Sequence, residues 1–226
     1  MDCQTNYPFS EVLSYTIESE VDFTFFIRLP EWTVKDQATI TIGDGEAEAI
    51  SPNDDSLQPV EVKAGATTIS ITLPMEVKSV ERDGAVAFYR GPLLYASDIA
   101  YTETQSPATD FSTREPLPED QTHPEAYDAI FEPDGEWKFA VDPSTVSVVR
   151  GNEEAELPNP IFVNNGPPTS LEVDAYPIEW PIANGTAANP PVNPTVDPSR
   201  KTTIRLIPFG AAKLHIAQFP VAKLEE

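Results

Sequence analysis

Proline is the feature that most constrains this chain, at 24 of 226 residues against only 10 glycines. Each proline removes a backbone donor and fixes φ, which breaks helices but is tolerated at strand ends and in turns. The sequence is therefore expected to be all-β, with short strands joined by rigid loops and helix a minor component. Hydrophobic residues make up 40% and aromatics 9%, enough to build a core despite a net charge of -23. The length suits one large domain or two modest ones.

Alternating apolar and polar side chains mark the strands of the first hundred residues. They are Glu11 to Glu18, Phe23 to Leu29, Ala38 to Ile42, Pro59 to Val62, Thr67 to Leu73, Val77 to Arg82, Ala85 to Tyr89 and Leu93 to Ile99. Gly43-Asp44-Gly45 and Lys63-Ala64-Gly65-Ala66 are hairpin signals, and further turns lie at Asp83-Gly84 and Gly91-Pro92. This spacing predicts an antiparallel β-sandwich over residues 1–100. Residues 101–136 are dominated by Thr, Ser, Pro, Asp and Glu and read as a loop or linker. Strand signals return at Trp137 to Val141, Val146 to Val149, Leu171 to Tyr176, Thr202 to Ile207 and Ala212 to Ala217. The stretch from Pro181 to Pro198 reads as an exposed extended loop. Residues 137–226 are thus expected to form a second, smaller and more irregular β domain. No fixed-period repeat links the two regions.

With 37 acidic against 14 basic residues, the surface repels phosphate backbones and anionic headgroups, so neither nucleic acid nor membrane is expected as a partner. No apolar run approaches the roughly 20 residues that span a bilayer. The N-terminus has neither the basic start nor the apolar stretch of a secretory signal, and the compartment stays open. Asn184-Gly185-Thr186 fits the N-glycosylation pattern, whereas Asn193-Pro194-Thr195 is blocked by its proline.

Several segments, taken in order, resemble glycoside hydrolase family 127, the β-L-arabinofuranosidase type. Asn6-Tyr7-Pro8-Phe9 followed by Phe26-Ile27-Arg28-Leu29-Pro30-Glu31-Trp32 is similar to that family's Tyr-Pro start and its Arg-x-Pro-x-Trp strand. Arg90-Gly91-Pro92-Leu93-Leu94-Tyr95 resembles its Gly-Pro-Leu element, the most specific of the matches. Leu157-Pro158-Asn159-Pro160, Ile178-Glu179-Trp180-Pro181 and Ile207-Pro208-Phe209-Gly210-Ala211-Ala212-Lys213-Leu214 extend the likeness through the C-terminal half. The resemblance implies middle and C-terminal β domains that follow a helical (α/α)6 barrel. In the family, that barrel carries the cysteine nucleophile, the glutamate acid/base and a zinc ion. No position here matches those motifs, so the resemblance implies an accessory region whose partner is the barrel, and no catalytic residue, metal or cofactor is carried over.

The residues agree with that expectation. Cys3 is the sole cysteine and lacks the converging partners that a thiolate or zinc site needs. His123 and His215 show no metal-ligand spacing and are expected at a loop and on a strand surface. Asp54-Asp55 and Glu153-Glu154 read as solvated loop charges rather than the paired acids of glycoside hydrolysis. Trp32, Trp137 and Trp180, with Tyr7, Tyr89 and Tyr176, suit packing better than sugar stacking. Two rival functions stand beside the accessory reading. One is a stand-alone carbohydrate-binding module for a glycan, and the other is an interaction protein that uses its acidic face.

Overall fold

Two sheets packed face to face build the first 75 residues. The computed structural model describes residues 1–123, 125–152 and 155–223, and its helical residues are confined to three-residue 3-10 turns. Strands β1 (Asp2–Thr5), β2 (Val12–Ser19), β3 (Phe23–Arg28), β4 (Thr39–Ile42), β5 (Glu48–Ala49), β6 (Leu57–Val62) and β7 (Gly65–Thr72) come first. One sheet has the order β1-β2-β7-β4-β5, and β3 pairs with β6 in the other. Ile17, Ile40, Ile69 and Ile71 from the first sheet meet Ile27, Val60 and Val62 from the second in one core. The period-2 alternation read in the sequence puts these side chains inside. Each is worth about 1.5–3 kcal/mol relative to exposure.

The expected hairpin at Lys63-Ala64-Gly65-Ala66 does not form. β6 pairs with β3, and β7 pairs with β2 and β4, so the chain arches from one sheet to the other at that point. Asp22 secures the arch by accepting from the Ala64 N–H at 2.9 Å and from Lys63 Nζ at 3.0 Å. A turn residue shows where the chain reverses, not which strand it then joins.

Three tightly linked strands come next: β8 (Val77–Arg82), β9 (Ala85–Arg90) and β10 (Leu93–Ser97). They do not extend the sandwich of residues 1–75. β10 pairs with β18 (Thr202–Pro208), and β9 pairs with β19 (Phe219–Pro220). In between come the hairpin β11 (Tyr101–Pro107) and β12 (Tyr127–Pro133), then β13 (Phe139–Val141), β14 (Ser147–Arg150), β15 (Thr169–Pro177), β16 (Ile182–Ala183) and β17 (Thr186–Ala187). An eight-stranded sheet results, running β13-β15-β18-β10-β9-β19 with β14 and β8 at its flanks. Hydrogen bonding therefore groups residues 77–97 with the second half of the chain, and the expected division at residue 100 does not follow the sheets. Val86, Phe88, Tyr95, Val141, Leu171 and Leu206 share its core. The last strand also links the two ends of this sheet. Phe219 pairs with Val86, while the Ala222 N–H donates to the Val141 carbonyl at 2.8 Å.

Three other segments depart from the sequence reading. The expected linker 101–136 contains the β11–β12 hairpin, with register running from Tyr101↔Pro133 to Pro107↔Tyr127. β11 is polar and exposed along most of its length, so no apolar period betrays it, although β12 carries Tyr127, Ala129 and Phe131 on one face. The expected loop from Pro181 to Pro198 holds the β16–β17 hairpin, turned by Asn184 and Gly185 at φ 53° and 77°. The strand expected at Ala212 to Ala217 is not one. Phe209–Ala211 forms a 3-10 turn, and the chain beyond it reaches back to the end of β10 through two separate backbone bonds, Ser97 N–H to the Ile216 carbonyl and Ile99 N–H to the Leu214 carbonyl, without building a strand ladder. Its apolar alternation comes from packing on Ile99 and Trp137.

Candidate functional site

The residues singled out in the sequence do not converge. Cys3 is exposed on β1, opposite Tyr15. His123 lies in an exposed loop, where its Nδ1 accepts from the Glu125 N–H at 3.2 Å. His215 is not on a strand surface. It is half-buried in the segment after β18, edge-on to the Phe209 ring with centroids 4.3 Å apart. Asp54 and Asp55 are exposed, and Glu153-Glu154 lie outside the described residues. Among the described residues no group of three or more His, Cys, Asp or Glu could hold a metal ion.

The tryptophans are committed to packing. Trp180 is 2% exposed and Trp137 9%, with ring centroids 5.7 Å apart. The Trp180 Nε1–H donates to the Ala188 carbonyl at 2.9 Å. Trp32 stacks on Tyr7, centroids 6.2 Å apart and planes 25° apart. A small apolar cleft of about 140 Å³ opens beside Trp137, bordered by Phe131, Ile182, Thr186, Leu214 and His215. Its walls come from both hairpins and from the segment after β18. It is too small for more than a single sugar ring, given that ligand pockets usually run to about 300–1,000 Å³.

An ion cluster that sequence reasoning missed joins the sandwich to the eight-stranded sheet. Glu11, one residue before β2, receives Arg90 Nη2 at 2.6 Å and Arg150 Nη2 at 3.1 Å. The same carboxylate oxygen accepts the Met75 N–H at 3.3 Å, and the Glu11 carbonyl accepts the Leu73 N–H at 2.8 Å. The Arg90 side chain is fully buried, whereas that of Glu11 is 20% exposed. Two guanidinium nitrogens, Nε and Nη1, have no hydrogen-bond partner among the described residues. A buried guanidinium is costly, and the Glu11 carboxylate is what offsets it. Nearby, the buried Phe9 ring packs on Phe162, centroids 6.0 Å apart, and Asn6 Nδ2 donates to the Ala155 carbonyl at 3.1 Å. The only sequence signal for this cluster is a charge closing an otherwise apolar run at Arg90, which reads as a strand end.

At one edge of the sandwich an aromatic groove of about 230 Å³ runs between its sheets, lined by Tyr7, Tyr15, Phe25, Phe26 and Arg28. Phe26 is half exposed, and Tyr15 meets Phe25 edge-on with centroids 5.6 Å apart. Burial pushes the Tyr7 hydroxyl above its ordinary pKa. It does the same to Tyr15, with a further contribution from Cys3 across the strand pair. Both phenols stay neutral, and the groove presents apolar surface with one cation, Arg28, on its rim.

Comparison with known proteins gives this geometry a context. Residues 1–75 match the family described as Beta-L-arabinofuranosidase, GH127 middle domain, the same residues that form the two-sheet sandwich. No curated protein matches the chain. Among solved structures, a GH127 β-L-arabinofuranosidase from Geobacillus stearothermophilus T6 aligns over 92% of this chain and 27% of its own, at TM-score 0.52 and 17% identity. A protein described as a glycoside hydrolase aligns over 98% and 32%, at TM-score 0.54 and 17% identity. A GH127 β-arabinofuranosidase aligns over 97% and 31%, at TM-score 0.55 and 13% identity. At these identities the likeness is one of fold. The chain spans about a third of the length of the structures it matches.

Proposed function

We propose that this chain, whose first 75 residues are of the GH127 middle-domain type, is the non-catalytic accessory β region of a glycoside hydrolase and packs against a catalytic barrel carried elsewhere in the full-length protein. The observation that carries the proposal is the family match over residues 1–75, on a chain that aligns almost end to end with about a third of the length of each of two GH127 structures. The exposed aromatic groove of Tyr7, Phe25 and Phe26 supports it, because a face of that kind suits another protein surface. The Glu11–Arg90 cluster ties that face to the eight-stranded sheet.

Co-expression of this chain with a family 127 barrel as a separate polypeptide tests the reading. The two should co-purify, and Phe26→Asp should weaken the association at least about tenfold, the equivalent of 1.4 kcal/mol. The purified chain alone should not turn over an aryl β-L-arabinofuranoside. Hydrolysis that survives Cys3→Ala would overturn the accessory role. A stand-alone carbohydrate-binding module is the weaker reading. None of the three tryptophans offers a free ring face to a sugar, since Trp137 and Trp180 are buried and Trp32 stacks on Tyr7.

A further inference from the structure

Two Asn-Gly pairs sit in exposed turns with the asparagine in the left-handed region, Asn165 at φ 59° and Asn184 at φ 53°. The next residue along the chain distinguishes them. Thr186 succeeds Asn184-Gly185, while Pro167 succeeds Asn165-Gly166. Their surroundings differ as well. The Asn165 side-chain oxygen accepts from Arg205 Nη1 at 3.0 Å, and a side chain added at Gly166 would run into the Ile161 carbonyl. Nothing lies within 4 Å of where a Gly185 side chain would begin. Ala183 pairs with Thr186, so Asn184 and Gly185 are the whole of a two-residue turn, and the acceptor amide and the Thr186 hydroxyl share one projecting tip.

We propose that Asn184 is an acceptor site for an N-linked oligosaccharide when the chain is routed through the endoplasmic reticulum. The donor class is a lipid-linked oligosaccharide diphosphate. Asn184 Nδ2 forms the bond to the anomeric carbon as the carbon–oxygen bond to the diphosphate breaks. The lipid diphosphate leaves with the electron pair, and the amide gives up one proton. The proposal is independent of the accessory role, since it rests on the tip of β16–β17 and not on the sandwich. The attached sugar would stand beside the exposed Ile182 and at the rim of the cleft next to Trp137, shielding apolar surface that the hairpin leaves in water.

The test is export of the full chain from a yeast host behind a secretory signal, with peptide mass spectrometry across residue 184. Most molecules should carry one glycan, which Asn184→Gln and Thr186→Val abolish and Asn165→Gln leaves unchanged. An endoglycosidase should release that glycan from the native protein as completely as from the denatured one. Exported chain with unmodified Asn184 would overturn the proposal, as would a glycan released only after denaturation.

Discussion

Glu11 joins the two parts of the molecule through Arg90 and Arg150, and the two arginines should not respond alike to mutation. Arg90 is fully buried and Arg150 is half exposed. Replacing Glu11 with Ala strands a guanidinium inside the protein and should cost about 3–5 kcal/mol, read as a fall in the urea midpoint at unchanged slope. Arg150→Ala should cost no more than about 1 kcal/mol, as solvent-screened pairs do. Equal losses from the two would show that the Arg90 pair is not the one that matters. A second residue-scale outcome concerns pH. Hydrogen bonds from the Ser112 hydroxyl and from the Thr113 and Ser112 N–H groups hold the Asp110 carboxyl down, from 3.8 to about 2. A depressed carboxylate contributes stability above its ordinary pKa and loses it as pH falls through its folded value. The carboxylate's contribution to this loop should therefore fade progressively as pH falls from 3.8 through about 2, and an NMR titration of the side chain should place its midpoint near the lower value. Ser112→Ala should move that midpoint toward 3.8.

At the scale of elements, turns and strands are legible in the sequence, while pairing is only partly so. β2, β7 and β9 follow the alternation read in the sequence because each buries one face or both. Period reports burial, and burial says nothing of which neighbour supplies the hydrogen bonds. That is why the β6–β7 arch reads as a hairpin and why β8 to β10 group with residues 1–75 on pattern alone. β11 escapes notice for the opposite reason, since it buries neither face. The β16–β17 turn is visible as Asn-Gly but is masked by the surrounding prolines. Of the candidate site, the packing role of the tryptophans can be read ahead, whereas the Glu11 cluster cannot, because residues 11, 90 and 150 meet only once both sheets are built. Glycines in turns differ for local reasons. Gly91 and Gly43 share nearly the same backbone, φ 54° and 59°. A methyl group at Gly91 would strike Met75 Sδ, while one at Gly43 meets nothing within 4 Å. Gly43→Ala should cost about 1–2 kcal/mol for its backbone alone, and Gly91→Ala about 1–3 kcal/mol more, for the overpacking against Met75. Thermal melts of the two variants side by side give the comparison.

For the whole molecule, the sheets predict where the chain can be cut. A fragment of residues 1–75 contains both faces of its own core and should stay soluble as a folded sandwich. A fragment of residues 1–100 adds β8, β9 and β10 without β15, β18 or β19. Val86, Phe88 and Tyr95, all fully buried in the intact chain, are then uncovered. That longer piece should aggregate, or bind a hydrophobic dye strongly, where the shorter one does not; the reverse result would mean that β8 to β10 find a home on the sandwich. The same topology bears on synthesis. β10 ends at Ser97 and its partner β18 begins at Thr202, so 104 residues lie between the two. At roughly 5–20 residues per second, a ribosome leaves those strands waiting on the order of 5–20 seconds for the segment that covers them. Throughout that interval the nascent chain carries a finished sandwich followed by a sticky, half-made sheet, a natural client for a chaperone.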